Sequence, residues 1–478
     1  MGLMKKYVLF VCAALALLAA PQFAFAADVN GADLALWWGI PFAATLLSIA
    51  IFPVAAPLFW HHHYGKVIAV WAVCFLVPFT FFFGFDAALH GAVHALVAEY
   101  IPFILLLLAL FVVAGGIYVR TDLRATPKVN VAFLALGAVL ASMMGTTGAS
   151  MLLIRPMLRA NEHRQKRAHL MVFFIFLVSN IGGALTPLGD PPLFLGFLQG
   201  VSFFWTLQYL WPQFLFLVVL LLILFYVLDS WLLRKELQQG TVKAVDMNVQ
   251  GKEGFAIEGK VNFLLLLGVV GLVMLSGIWK SEQTFDVFGT TVTLPGLVRD
   301  VGFIVIVFLS LGLTSKGVRR SNAFTWGPIV EVAKLFAGIF LTIIPVIAML
   351  KAGQSGAFSP VVSAVTNSEG ESIPMMYFWA TGILSSFLDN APTYLVFFNT
   401  AGGDAATLMT TMAPTLMAIS AGAVFMGANT YIGNAPNLMV KAIAEERGVN
   451  MPSFFGYMAW SFGILVPSFV LITLIWYI

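Results

Sequence analysis

The chain has 478 residues, 60% of them hydrophobic and 10% charged, with a formal net charge of +3 and a mean hydropathy of +0.94. That composition excludes an ordinary soluble domain and places the chain among integral membrane proteins. The small charge excess gives no basis for nucleic-acid binding, and Cys12 and Cys74 provide neither a disulfide framework nor a thiolate metal site.

In chain order, Lys5 and Lys6 precede the apolar run from Tyr7 to Ala20, and Ala24-Phe25-Ala26 follows as a small-x-small pattern. Residues 1–26 are therefore expected to be a signal peptide, or an uncleaved first helix. Either implies export and places the protein in a Gram-negative inner membrane. Apolar runs of spanning length then fall at 35–60, 67–85, 101–119, 170–200, 207–228, 261–279, 301–315, 326–350, 408–440 and 453–477.

Two further runs, 129–154 and 372–399, behave differently. The first is flanked by Arg120, Arg124 and Lys128 on one side and by Arg155, Arg159, Arg164, Lys166 and Arg167 on the other. Basic clusters mark cytoplasmic loops, so this run should enter and leave on one face as a re-entrant hairpin turning at Gly145-Thr146-Thr147-Gly148. The second lies in the interval 352–440, which has no Lys or Arg, and should dip from the periplasm and turn at Asp389-Asn390-Ala391-Pro392. Threaded this way, only Lys280, Arg299 and Lys351 of the 25 basic residues fall outside the cytoplasmic side.

The stretch Asn180-Ile181-Gly182-Gly183-Ala184-Leu185-Thr186-Pro187-Leu188-Gly189-Asp190-Pro191-Pro192 breaks what would otherwise be one spanning helix. A related break, Gly427-Ala428-Asn429-Thr430-Tyr431-Ile432-Gly433-Asn434-Ala435-Pro436, lies further on. One offset relates them: Thr186, Gly189 and Pro192 fall on Thr430, Gly433 and Pro436, and Asp190 on Asn434. The hairpin tips obey the same offset, Thr146 falling on Asn390. An odd number of crossings separates the halves, so the expected fold is an all-α polytopic membrane protein of two inverted repeats, each with a re-entrant hairpin and a broken transmembrane helix. The halves are 27–228 and 261–478, joined by a cytoplasmic loop at 229–260.

Irregular backbone survives in hydrocarbon only where it is buried in protein or lines a wet cavity, so broken helices mean a site. The candidates are Thr146 and Thr147 at the first tip, and Asn180, Thr186, Gly189 and Asp190 in the first break. Asp389, Asn390 and Thr393 supply the second tip, and Asn429, Thr430 and Asn434 the second break. A charged carboxylate at the bilayer centre costs roughly 2.5 to 3.5 kcal/mol even on mild scales, so Asp190 and Asp389 should be paired, protonated or cation-bound. No Lys or Arg is placed to pair them, which favours a small hard cation competing with protons. Asp389 is the residue on which that coupling is expected to rest. A simpler reading stands beside it: both aspartates precede prolines in the manner of helix N-caps, and the threonines and asparagines suit interhelical hydrogen bonds.

The motifs from Ser179 to Asp190 and from Phe387 to Pro392 resemble those of the ion transporter superfamily, which holds the NhaD-type sodium/proton antiporters, the ArsB-type arsenite transporters and the citrate and dicarboxylate carriers. The resemblance spans nearly the whole mature chain and looks nearest to the NhaD-type antiporters. It implies a homodimer with a scaffold portion and a mobile transport portion. The Ser-Asn-Thr tips of the dicarboxylate carriers are replaced by Gly-Thr-Thr-Gly and Asp-Asn-Ala-Pro, which argues against a carboxylate substrate. The expected activity is exchange of Na⁺ or Li⁺ for H⁺, with sodium held at the candidate residues and no other cofactor; the alternative is a Na⁺- or H⁺-coupled carrier of citrate, a dicarboxylate or an oxyanion such as arsenite.

No catalytic constellation or transition-metal set is evident, so an enzyme is not expected. His61-His62-His63 reads as a solvated or headgroup-facing run after the first span, His90 and His94 lack a further ligand nearby, and Glu331 and Lys334 share a helical face as an interfacial pair. The topology makes a direct prediction. Cysteines introduced near Lys128 and near Arg159 should both react with reagents reaching only the cytoplasm; reaction from opposite faces would rule out the first hairpin.

Overall fold

The computed structural model describes residues 29–120, 124–240 and 256–478. The expected signal segment at 1–26 lies outside them, as does most of the second half of the 229–260 loop. Among the described residues, nine helices are long and apolar enough to cross a membrane. The chain is an all-α polytopic membrane protein, and among the described residues two short ribbons that the sequence gives no hint of interrupt the helices: β1 (Tyr118–Arg120) with β2 (Ala256–Glu258), and β3 (Thr284–Val287) with β4 (Thr290–Thr293).

The first half begins with α1 (Ile40–Ala55) and α2 (Pro57–Phe83), separated at Ala56. Pro57 starts α2 because a helix loses nothing by having proline at its first position. The His61-His62-His63 run consequently sits inside the first turns of α2, with His63 stacked on Phe59. Next come α3 (Phe85–Ala114), which contains one π-helical turn, and the hairpin α4 (Pro127–Met144) and α5 (Thr146–Ala160). Gly145, at φ +81°, makes the reversal between them, and Gly137 on α4 meets Leu153 on α5. The first broken helix is α6 (Ala168–Leu177), a short 3-10 turn, and α7 (Pro191–Leu198); α8 (Trp205–Gln238) follows.

The second half has α9 (Val261–Ile278), α10 (Leu294–Leu313), and a span bent by 43° into α11 (Gly327–Thr342) and α12 (Ile344–Lys351). Its hairpin is α13 (Pro374–Phe387) and α14 (Asn390–Thr400), with Tyr377 and Phe397 packed across it. The second broken helix is α15 (Ala413–Met426) and α16 (Ala435–Glu446), and α17 (Phe454–Trp476) closes the chain.

Burial separates these elements sharply. Leu170 to Val178 of the α6 segment are all 0% exposed, and α15 is buried almost all round, whereas α2, α8 and α9 leave Phe81, Val227 and Leu264 well exposed. A helix apolar on every side belongs in a protein core or in lipid, so the first limbs of the two broken helices form the centre and the outer helices face hydrocarbon.

The same hydrogen bonds secure both breaks, 244 positions apart. Thr186 Oγ1 donates to Ser142 O, and Thr430 Oγ1 to Ser386 O, each at 2.5 Å; the Leu188 and Ile432 amides donate to those threonine hydroxyls, each at 3.2 Å. Ser142 Oγ donates to Gly182 O, and Ser386 Oγ to Met426 O. The hairpins also meet the broken helices at equivalent places, with the small residue exchanged: a Cβ on Gly182 would lie 2.8 Å from Ala138 Cα, and one on Gly382 would lie 2.0 Å from Met426 Sδ.

Helix α8 differs from the sequence reading. It runs on through Gln238, into the segment 229–260 that the sequence leaves as a loop, because two of its acidic residues find buried partners. Asp229 pairs with Arg164 and His169 and accepts from Asn130, while Glu236 accepts from Arg164 Nε at 3.1 Å and from the amides of Gln165 and Lys166. Glu331 and Lys334 both turn towards α2: Glu331 meets Trp60, and the Lys334 ammonium lies 5.2 Å from the Tyr64 ring centroid.

The close approach at the breaks can be tested. A Cβ on Gly189 would stand 2.2 Å from Gly183 O, and one on Gly433 would stand 2.5 Å from Gly427 O. Overpacking of this kind costs about 1–3 kcal/mol or more. Gly189→Ala and Gly433→Ala should therefore each lower the thermal unfolding midpoint in detergent by several degrees, while Gly271→Ala, with nothing within 4 Å of its Cβ, should leave it unchanged.

Candidate functional site

Four helices, α5, α7, α14 and α16, start at the two hairpin tips and the two breaks, and three of them aim a polar side chain at one carboxylate. Asp190 is 1% exposed. Its Oδ1 accepts from Thr146 Oγ1 at 2.9 Å and from Asn434 Nδ2 at 3.1 Å, and its Oδ2 accepts from Asn390 Nδ2 at 2.5 Å. The first tip, the second tip and the second break thus converge on a residue of the first break. Asp190 bonds Asn434, the residue 244 positions on that the common sequence offset pairs with it. No ion pair with Lys, Arg or His forms at Asp190 among the described residues.

The two aspartates differ in their hydrogen bonds. Asp389 does what an N-cap does: its Oδ1 accepts from the Ala391 amide at 3.1 Å, and its backbone carbonyl takes the Thr393 hydroxyl at 2.9 Å. Asp190 occupies an N-cap position but makes no side-chain capping bond, so its carboxylate is free for the site. It is Asp190, rather than Asp389, on which the polar side chains meet. Asp389 is half-buried and within electrostatic reach of Asp190.

The remaining candidates fall into two groups. Thr186 and Thr430 spend their hydroxyls on the braces described above, Gly189 offers its carbonyl to the Thr146 amide at 2.8 Å, and Thr393 stays within its own helix. Asn180 joins the halves, donating to Asn437 Oδ1 at 2.8 Å while its Oδ1 accepts from Asn434. Thr147 faces a cavity of about 100 Å³ that also touches Asp190. Asn429 donates to Ser386 Oγ at 2.9 Å. Two buried amide oxygens, Asn390 Oδ1 and Asn429 Oδ1, have no hydrogen-bond partner among the described residues.

The motif reading leaves out Ser142, Ser386 and Asn437. The signal for the serines was present, since they share the 244-residue offset of the motifs. Asn437 had none: it donates to Gly427 O and Thr430 O, the carbonyls freed by the second break, and its counterpart in the first half is Leu193. His90 turns its Nδ1 to Phe288 O, and among the described residues no group of three or more His, Cys, Asp or Glu is placed to hold a metal ion.

One wall of the cavity is apolar, from Leu110 and Phe111 of α3 and Ile329 of α11; the other is formed by the first tip, the first break and the start of α16. No Lys or Arg lines it. Helix N-termini commonly bind anions through free amides, yet at three of the four helix starts prolines occupy positions that would supply them: Pro191 and Pro192 in α7, Pro392 in α14 and Pro436 in α16, while α5 has none in its first turn. The Ala391 amide is taken by Asp389. The dipoles point inward, but many of their donors have been removed.

A protein-family profile described as "Putative citrate transport" matches residues 31–477. The chain belongs to this family. No curated protein matches the chain. Family and fold together make it a multi-pass membrane protein of an ion and citrate transport family, with a small molecule or ion as the substrate.

The geometry predicts the behaviour of Asp190→Asn. The new amide would face Asn390 Nδ2, donor against donor, but a half-rotation of the Asn390 amide presents its unpartnered Oδ1 instead. The variant should therefore insert and unfold within a few degrees of the wild type while losing transport. Asn434→Leu, which removes a donor and leaves Asp190 Oδ1 one bond short, should lower the unfolding midpoint as well as transport.

Proposed function

We propose that the protein is a secondary active transporter exchanging Na⁺ or Li⁺ for H⁺, with Asp190 as the shared carrier of proton and cation. The observation that carries this is the convergence of Thr146, Asn390 and Asn434 on a buried carboxylate that has no basic partner. A bare carboxylate in hydrocarbon is costly, so the site favours two neutral forms, protonated or cation-loaded. If only those forms complete the passage across the membrane, exchange follows.

The side chains around Asp190 suit both forms. In the protonated form the acid hydrogen on Oδ2 is accepted by Asn390 Oδ1 after the amide turns over. In the loaded form a hard cation prefers oxygen ligands, and Asp190 offers them together with the Asn390 amide oxygen once that amide has turned over. Asn429 Oδ1 in the second break and the Thr147 hydroxyl at the first hairpin tip are further candidates. In this reading α3 and α11 belong to the fixed wall, and the hairpins with their broken helices move past it. Inverted repeats, a homodimer and an inner-membrane location are parts of the same proposal.

The second reading is a Na⁺- or H⁺-coupled carrier of citrate, another carboxylate or an oxyanion, which the family description favours. Against it stand the carboxylate at the centre, the lack of Lys or Arg in the cavity wall and the prolines at three of the four helix starts. Purified protein in liposomes with an imposed pH gradient separates the two. Dissipation on adding Na⁺ or Li⁺, absent with K⁺ and unaffected by citrate, is the expected result; Na⁺-dependent uptake of labelled citrate without cation-driven proton movement would replace the first reading by the second.

A further inference from the structure

Helices α5 and α16 both start at the central site, pack against each other, and run towards the face that carries most of the basic residues. Where they end, four arginines gather. Arg155 and Arg159 lie one turn apart on α5, Arg167 follows in the link to α6, and Arg447 comes directly after α16. Arg159 is held in place by the Tyr118 hydroxyl and by Val119 O, and Arg167 NH2 donates to Gly448 O at 3.1 Å, tying the two segments together.

Their charge is poorly balanced. Arg155 is within electrostatic reach of Arg159 and Arg447, with Glu446 as the opposing charge. Glu445 is committed to Lys441 at 2.7 Å. Moreover, Arg155 NH1, Arg159 Nε and Arg167 Nε are enclosed by protein and have no hydrogen-bond partner among the described residues. The fully buried Arg164 nearby also keeps one unpartnered nitrogen, NH2, but its charge is matched by both Asp229 and Glu236, whereas Arg155, Arg159 and Arg167 form no ion pair among the described residues. An enclosed charged donor without an acceptor is expensive, and three of them on neighbouring arginines that no carboxylate pairs point to a missing acceptor.

We propose that Arg155, Arg159, Arg167 and Arg447 form a binding site for a multiply charged oxyanion, a phosphate or carboxylate group carried by an anionic lipid headgroup or free in solution. Planar guanidinium groups suit such oxyanions because each offers several donors in fixed directions, and basic pockets between helices at this face are suited to lipid headgroups. The bound anion joins the far ends of α5 and α16. It thereby fixes the first hairpin against the second broken helix, at a place remote from Asp190 and independent of what the central site carries.

The full-length protein in nanodiscs tests this by its unfolding midpoint. One arm titrates sodium phosphate or citrate into neutral phosphatidylcholine discs at constant ionic strength; the other replaces part of that lipid by phosphatidylglycerol or cardiolipin. A rise in midpoint in the first arm identifies a free anion, and a rise confined to the second identifies a headgroup. In either case Arg155→Gln should weaken the apparent affinity about tenfold, as expected for the loss of one charge-assisted contact, and Lys66→Gln, on the exposed side of α2, should not. If Arg155→Gln does not fold, Arg167→Gln carries the same comparison. The proposal is overturned if neither source raises the wild-type midpoint, or if the arginine variants respond as the wild type does.

Discussion

Every backbone amide and carbonyl inside hydrocarbon needs a partner, and a helix that stops half-way across leaves several without one. The protein meets this demand with a hydroxyl brace used twice. Ser142 and Thr186 secure the first break, Ser386 and Thr430 the second, each pair joining a hairpin to the broken helix beside it. Asn180 and Asn437 take up carbonyls that the braces do not reach. Only with those groups satisfied can α6 and α15 be buried on all sides, and only then do four helix starts meet in one small volume.

The braces are symmetric, whereas the chemistry inside them is not. At equivalent positions one half has Asp190 where the other has Asn434, and Thr146 where the other has Asn390. Two carboxylates at the paired positions would repel each other across the join; two amides would leave nothing to titrate. One of each gives a single ionisable group with donors arranged around it. Asp389 is a second carboxyl group nearby, but it uses its side chain to start α14. The unpartnered Asn390 oxygen follows from the same economy: an amide that donates to a carboxylate keeps its oxygen available for when the carboxylate is neutralised.

Much of this was legible in the sequence, because proline and glycine in an apolar run leave few alternatives. The breaks at Gly182-Gly183 and Gly427, the hairpin turns at Gly145 and Asp389, and the common offset all follow from residue types whose backbone demands are local. What could not be read depends on partners distant in the chain. Asp190 and Asp389 both precede prolines and look alike as caps; only the folded structure shows that one caps and the other does not. The extension of α8 through Gln238 likewise depends on Arg164 and on the amides of Gln165 and Lys166, some seventy positions earlier. The Arg155 cluster is visible only once α5 and α16 lie together.

The central claim is that one cation and one proton compete for the Asp190 carboxylate. The most direct measurement is proton release from weakly buffered, purified protein on adding NaCl, with choline chloride as the control, at a pH where the site is protonated. Wild-type protein should acidify the medium on Na⁺ addition, saturably and with less release as the pH is raised, and Asp190→Asn should release nothing. Equal release from Asp190→Asn, or saturable Na⁺ binding by the wild type without any proton release, would contradict the account.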